Sequence, residues 1–116
     1  VGDCGQVHLR AICPEGAGRI TLNMHSEPRG YIIGRVVDYE WNSGYRTIEG
    51  FGFEDCIPVT GDKLAAKLRW KSHADLRSLA GRRVRLELRL YDARLYAVRA
   101  DCKLWYTNTP APVEWA

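Results

Sequence analysis

The chain has 116 residues, of which 46% are hydrophobic and 27% charged, and its formal net charge is +3. These values are ordinary for one globular domain with a single core, and they exclude a two-domain enzyme, a mainly disordered chain and a collagen-like fibre. No apolar run reaches the ~18 residues that a transmembrane helix needs. The chain begins at Val1 and its only methionine is Met24, so we expect a processed product or a domain cut from a longer protein.

Arginine dominates the basic residues, with 13 Arg against 4 Lys. Most of the arginines alternate with apolar residues, which is typical of the solvated face of a sheet. Nucleic-acid binders instead cluster basic residues with stacking aromatics. We therefore predict no nucleic-acid partner, and the missing apolar span predicts no membrane partner.

The first half of the chain predicts three strands separated by turn residues. Alternating apolar residues indicate strands at 6–12 and 19–25, and Pro28 and Gly30 close the second of them. A run of β-branched and aromatic residues predicts a strand at 31–39, within which Gly34 indicates a bulge or a close backbone approach.

The second half predicts three further strands and one short helical turn. Ala66, Leu68 and Trp70 form the inward face of a strand at 65–71. A helical turn at 75–81 has Asp75 as its cap and Gly81 as its end. The remaining strands are 83–91 and 94–100, joined tightly through Asp92 and Ala93.

Period-two alternation with frequent turns predicts an all-β, antiparallel β-sandwich of the jelly-roll or concanavalin-like type. We expect one domain at 1–102. An irregular C-terminal strap at 103–116 is expected to pack on it through its aromatic residues Trp105, Tyr106 and Trp115.

Carboxylates and histidines give no catalytic motif. Glu54 and Asp55 are adjacent, so on a strand they point to opposite sides and cannot act as a glycosidase pair. Glu87 lies between two arginines, and cross-strand ion pairing accounts for it. The three histidines, His8, His25 and His73, are predicted to be surface residues. We predict no catalytic residue, no cofactor and no metal-ligand set; a structural calcium ion held by Asp55, Asp62 or Asp92 stays an open alternative.

The four cysteines, Cys4, Cys13, Cys56 and Cys102, allow three disulfide pairings, among which the sequence does not choose. Cys4 and Cys13 would staple an N-terminal turn. Free, half-buried thiols are the equally weighted alternative.

Two sets of residues are candidates for binding. Trp41 and Tyr45, with Arg46, occupy a loop, where aromatic rings stack on sugar C–H faces and arginine binds hydroxyl groups. The alternative role of these aromatics is to cover open edges of the core or to contact a neighbouring domain. Arg83, Arg85 and Arg89 lie on one face of a strand and would meet an acidic protein partner.

Four segments in order carry a family resemblance: GRITLNM (18–24), GFGFEDCIPVTGD (50–62), LRWK (68–71) and DLRSLAGRRVRLELRLYDARLYAVRA (75–100). They resemble the C-terminal β-sandwich of proteins similar to glycoside hydrolases of family 32, the levanase and invertase group. In that group a five-bladed propeller carries the catalytic carboxylates. The resemblance therefore implies a sandwich and no catalytic residue. The positions that match recurring residues of that sandwich imply a role in holding strand ends and loops: Asn23, Glu54, Asp55, Asp62, Trp70 and Lys71.

The resemblance and the absent catalytic motifs predict a noncatalytic accessory module of a secreted, carbohydrate-active protein. Such a module packs on the catalytic domain of its parent chain or binds a polysaccharide or oligosaccharide. The alternative from a different class is a protein–protein interaction or adhesion sandwich that uses the arginine face. An independent enzyme is the third hypothesis, and it needs a pocket that the pattern does not indicate.

Overall fold

The computed structural model describes residues 4–9, 11–38, 46–104 and 113–115, with side chains for 5–9, 11–38 and 46–102. Within these residues the chain is all-β, with seven strands and two short 3₁₀ turns. The strands are β1 (Cys4–His8), β2 (Ile12–Pro14), β3 (Ile20–Asp38), β4 (Asp62–Lys67), β5 (Val84–Ala100), β6 (Cys102–Leu104) and β7 (Val113–Trp115). The 3₁₀ turns span Phe53–Asp55 and Arg77–Leu79.

These strands form one antiparallel sheet in the order β4-β3-β5-β2-β6, and β1 and β7 also pair with β5. The long strands β3 and β5 form its centre, and their pairing runs from Ile20↔Ala100 to Asp38↔Val84. Strand β2 pairs with Val84 at the start of β5 and with β6, which follows the end of β5. Strand β2 therefore pairs both with the start of β5 and with the strand that follows the end of β5.

A bend in β3 and β5 makes this pairing geometrically feasible. Seventeen extended residues span roughly 55 Å, but the longest dimension of the molecule is 39 Å. Strand β5 turns at Asp92, whose φ is +45°. Opposite it, the register of β3 breaks between Ser26 and Tyr31. The sheet thus folds over on itself around one core.

The core contains the inward side chains of both halves of the bent strands. Even-numbered residues of β3 are buried on either side of the bend, as are those of β5 near both of its ends. Burying one such aliphatic side chain contributes about 1.5–3 kcal/mol to folding. One cluster unites, among others, Ile20, Leu22, Met24, Ile32, Val36, Leu68, Trp70, Val84, Leu86, Leu88, Val98 and Ala100.

The structure confirms the predicted interior position of Trp70, which is 2% exposed. Its indole Nε1 donates a hydrogen bond to the carbonyl oxygen of Gly34 at 3.0 Å. The close approach predicted at Gly34 is confirmed, since an added Cβ would lie 3.0 Å from Leu68 Cδ2 and Leu88 Cδ2. Gly34 pairs with Leu88 in unbroken register, so it is not a bulge.

Strand boundaries differ from the sequence prediction in four places. The strand predicted at 65–71 is β4, Asp62–Lys67, so Leu68 and Trp70 lie beyond its end. The predicted strand 6–12 is divided into β1 and β2. The predicted strands 19–25 and 31–39 are one strand, and so are 83–91 and 94–100. Asp92 and Ala93 are consequently a bend within β5. Both halves of β5 pair with β3 and not with each other. The turn-forming residues at the bend therefore change the direction of the strand without ending it.

The predicted turn near 75–81 is present as the 3₁₀ turn Arg77–Leu79. The Asp75 carboxylate accepts a hydrogen bond from the backbone N–H of Arg77 at 3.1 Å. Gly81 has a φ of +82°, the left-handed conformation expected at such an end. In the segment 103–116, expected as an irregular strap, residues 103–104 belong to β6 and 113–115 form β7.

Candidate functional site

Three neighbouring strands, β1, β5 and β3, present a continuous outer face on the side away from the core. Successive residues of a strand point to opposite faces, so residues that alternate with the core residues Leu86 and Leu88 lie on this face. The backbone register aligns them in three rows across the strands, which are His8–Glu87–Arg35, Gln6–Arg89–Ile33 and Cys4–Tyr91–Tyr31. We call this surface the outer face.

Glu87 lies on the central strand of the outer face, yet its side chain is only 2% exposed. Arg35 and Arg85 contact its two carboxylate oxygens at 2.6 and 2.7 Å, and His8 Nδ1 lies 3.3 Å away. Burial favours the neutral acid and would raise the pKa of Glu87. The hydrogen bonds from the two arginines, with the charges of Arg35 and His8, outweigh burial and lower that pKa.

The ion pairing predicted for Glu87 is confirmed, and its burial is the new finding. Its partner Arg35 is itself held by a second contact, a hydrogen bond that it donates to Thr47 Oγ1 at 3.1 Å. The ring of Phe53 lies 4.2 Å from the guanidinium carbon of Arg89 and 5.2 Å from that of Arg35. These cation–π contacts connect Phe53 with both arginine side chains.

Two tyrosines extend the outer face beyond Arg89. The rings of Tyr31 and Tyr91 stack with centroids 5.5 Å apart and an angle of 21° between their planes. Both side chains are half-buried, so part of each ring stays accessible to solvent. The face therefore combines partly accessible aromatic rings with an arginine and the exposed side chain of Gln6, on three paired strands.

The structure places the predicted binding residues in different parts of the chain. Arg85 and Arg89 lie on the outer face, and half-buried Arg83 comes directly before β5. Arg46 is exposed, and its carbonyl oxygen accepts a hydrogen bond from the Asp38 N–H at 2.7 Å. Trp41 and Tyr45 lie outside the described residues.

Sequence reasoning missed Tyr31, Tyr91 and Phe53 as parts of one surface. Alternation could have placed Tyr31 on this face, since it lies between the buried residues Gly30 and Ile32. The signal at Tyr91 is weaker, because Leu90 and Asp92 on either side of it are only half-buried. The pairing of the two tyrosines across β3 and β5 depends on a register between strands 60 residues apart, which no local pattern carries. Phe53 comes from a 3₁₀ turn that the sequence did not predict.

A second polar surface lies at the other end of β3 and β5, where they pair with β4 and β7. It is a groove of about 280 Å³ lined by Arg19, Thr21, Lys67, Arg99 and Asp101. Arg19 is paired with Asp101, whose carboxylate accepts from the Arg19 Nε at 3.1 Å and from its backbone N–H at 3.2 Å.

No group of three or more ligand-type side chains (His, Cys, Asp or Glu) that could hold a metal ion occurs within the described part of the chain. The candidate calcium ligands are on separate elements. Asp55 ends a 3₁₀ turn and accepts a hydrogen bond from the N–H of Gly52 at 3.3 Å. Asp62 begins β4 with a side chain that is 84% exposed, and Asp92 lies in the bend of β5. The structure does not gather them into one site.

Two of the cysteines are buried thiols. Cys56 accepts a hydrogen bond from the Gly34 N–H at 3.2 Å, and burial raises its pKa. Burial, reinforced by the nearby acids Asp101 and Glu15, raises the pKa of Cys102 to about 12. At neutral pH both are therefore protonated and poor nucleophiles.

Compared with protein-family models, curated proteins and solved structures, the chain matches none of them. Among the helices of the described residues, none is long and apolar enough to cross a membrane.

Proposed function

We propose that this chain is a noncatalytic accessory module of a secreted, carbohydrate-active protein and that it binds glycan on its outer face. The observation that carries the proposal is the stacked pair Tyr31–Tyr91 beside Arg89. Partly accessible aromatic rings offer an apolar platform for the C–H face of a sugar, and guanidinium and amide groups next to them bind hydroxyls. The ordered resemblance to the sandwich of family 32 glycoside hydrolases supports the same proposal.

The finer fold assignment belongs to this proposal. We place the bent sheet in the β-sandwich class because one core cluster unites residues from both halves of β3 and β5. In such a fold, the two halves of a sheet cover a shared core, and their outer surfaces remain available to ligands or to a neighbouring domain.

Retention in polysaccharide-containing native gels tests the binding. We expect Tyr91→Ala to weaken retention by a neutral glycan about tenfold, since one aromatic platform contributes on the order of 1–2 kcal/mol. Tyr96→Ala is the matched control. Tyr96 lies on the same strand and is 49% exposed, but it lines a separate apolar groove with Val7 and Leu95. Equal retention of wild type and Tyr91→Ala on every glycan that binds would contradict the proposal.

The noncatalytic part of the proposal has its own test. We expect no turnover when the 116 residues are incubated with chromogenic glycosides, because glycoside hydrolysis needs two carboxylates, whereas the groove at the far end of the sheet is lined by one, Asp101. Hydrolysis of any of these substrates by the chain would refute this part.

The alternative function is docking on an acidic protein surface, including the catalytic domain of the same parent chain. The observation in its favour is that Arg89 is exposed, whereas Arg85 is committed to Glu87. Arg89→Glu would then weaken association strongly and make it less sensitive to salt, with Tyr91→Ala nearly silent. Glycan binding predicts a clear loss with Tyr91→Ala, so the two variants separate the two functions.

A further inference from the structure

The groove at the far end of the sheet contains a row of three aligned side chains. Thr21 of β3 pairs with Lys67 of β4 on one side and with Arg99 of β5 on the other. Their sequence neighbours Leu22, Ala66 and Val98 are buried, so the row points away from the core. Adjacent strands lie about 4.8 Å apart, which places the two cationic residues roughly 10 Å apart at their Cα atoms with the threonine hydroxyl between them.

The charges of the groove favour an anion. Lys67 and Arg99 are both exposed, and among the described side chains no carboxylate forms an ion pair with either. Asp101 is occupied by Arg19 at 3.1 Å.

Two further acids bear on the row from outside the groove. Asp75 is held by Arg77 at 3.1 Å, and the hydrogen bond from Arg77 is the main cause that lowers its pKa, to which the Lys67 charge adds a smaller part. In the backbone register with β7, Glu114 stands opposite Arg99. Arginine presents five N–H donors, so Arg99 can donate several hydrogen bonds to one bound anion.

We propose that Lys67, Thr21 and Arg99 bind a single oxyanion, the sulfate or carboxylate group of an acidic glycan. A guanidinium donates two parallel hydrogen bonds to such a group, an ammonium adds a mobile point charge, and the hydroxyl supplies a neutral donor between them. The oxyanion site stands on the groove alone, and the assignment to a glycan rests on the proposed function.

A second depression adjoins the groove and offers room for a sugar ring. An adjoining depression of about 180 Å³ shares Thr21 and Arg99 and is also lined by Asn23, Ala65 and Ala97. The asparagine amide can bind hydroxyl groups, and the two alanines leave space above the sheet. A sugar that carries the oxyanion therefore has a surface next to the charged row.

Calorimetric titration with sodium sulfate and, separately, with methyl glucuronide, at ionic strength held constant with sodium chloride, tests the oxyanion site. We expect Lys67→Ala and Arg99→Ala each to weaken binding about tenfold, and Thr21→Val, which keeps the shape and removes the hydroxyl, about threefold. Lys63→Ala is the matched control, because it removes the same charge from β4 outside the groove. Equal loss in Lys63→Ala and Lys67→Ala, or no binding of either probe, would overturn the site.

Native gels that contain dextran sulfate, polygalacturonate or neutral dextran test the glycan assignment. Retention by dextran sulfate alone identifies a sulfate ester, and retention by polygalacturonate identifies a uronate. Retention by duplex DNA with the same dependence on Lys67 and Arg99 would overturn the assignment to a glycan. Loss of binding in Tyr91→Ala but not in Lys67→Ala would support glycan binding on the outer face and would contradict the oxyanion site. Loss in Lys67→Ala but not in Tyr91→Ala would support the oxyanion site and would contradict binding on the outer face.

Discussion

A carboxylate at the centre of a sheet's outer surface would ordinarily be solvated, but Glu87 is buried there beneath its own ion-pair partners. Removing one partner of a buried ion pair leaves an uncompensated charge. Arg35 and Arg85 are 32% and 22% exposed and can turn partly towards water, which limits the penalty. We therefore expect Glu87→Gln to lower the free energy of unfolding at pH 7 by about 3 kcal/mol, measured by urea denaturation.

The pH dependence of this loss of unfolding free energy shows whether it comes from the charge of Glu87 or from the shape of its side chain. The pKa of Glu87 is lower in the folded state, so its contribution is present above the unfolded pKa of about 4.3 and disappears as the pH falls through the folded value. The difference between wild type and Glu87→Gln should be constant above about pH 5 and close below pH 4. Glu49→Gln, at an exposed position, should change stability little. A gap that persists unchanged at pH 3 would show that the loss is not electrostatic.

The sequence predicts the burial of a residue well where alternation along its own strand determines it. It predicts burial less well where contacts with residues from distant segments determine it. Trp70 was assigned to the core because it alternates with Ala66 and Leu68, and it is there. The same alternation predicts that Glu87 shares the face of its neighbouring arginines, which was expected to be solvated. Its burial depends on Phe53 and Thr47, which approach Arg35 and Arg89 from another segment, and this information is not local.

Among the elements, the close crossing of the bends in β3 and β5 is the most demanding contact. A Cβ added to Gly30 would overlap the carbonyl oxygen of Asp92 and lie 2.7 Å from that of Tyr91. These are backbone atoms of the neighbouring strand, which cannot move aside as a side chain can. We expect Gly30→Ala to cost roughly 3 kcal/mol of unfolding free energy, at the upper end for overpacking.

Gly5→Ala is the control for this prediction, because an added Cβ at Gly5 meets nothing within 4 Å. Its unfolding midpoint in urea should stay close to that of wild type. If Gly30→Ala were as stable as Gly5→Ala, the two bends would not be in contact as described.

The same bends explain why the elements were divided wrongly from the sequence. Pro28, Gly30 and Asp92 are turn-forming residues, and turn-forming residues ordinarily end a strand. Here β3 and β5 stay paired on both sides of the bend, so each continues as one strand. A local signal marks where a chain changes direction, but which strand it pairs with afterwards is decided by the core that both halves share.

On the scale of the whole molecule, the buried thiols are expected to contribute to the response of the fold to alkaline pH. Unfolding exposes Cys56 and Cys102, which then ionise near pH 8.5, whereas the folded state raises the pKa of both, that of Cys102 to about 12. A raised folded pKa stabilises the fold fully below the unfolded value, and that contribution is lost as the pH rises towards the folded one. We expect the free energy of unfolding to fall above pH 8.5 by at most about 1.4 kcal/mol per pH unit for each thiol. Urea denaturation of the double variant Cys56→Ala/Cys102→Ala should show a flatter profile from pH 8.5 to 10.5 despite a lower stability at pH 7. The same decline in both proteins would assign the alkaline loss to other groups.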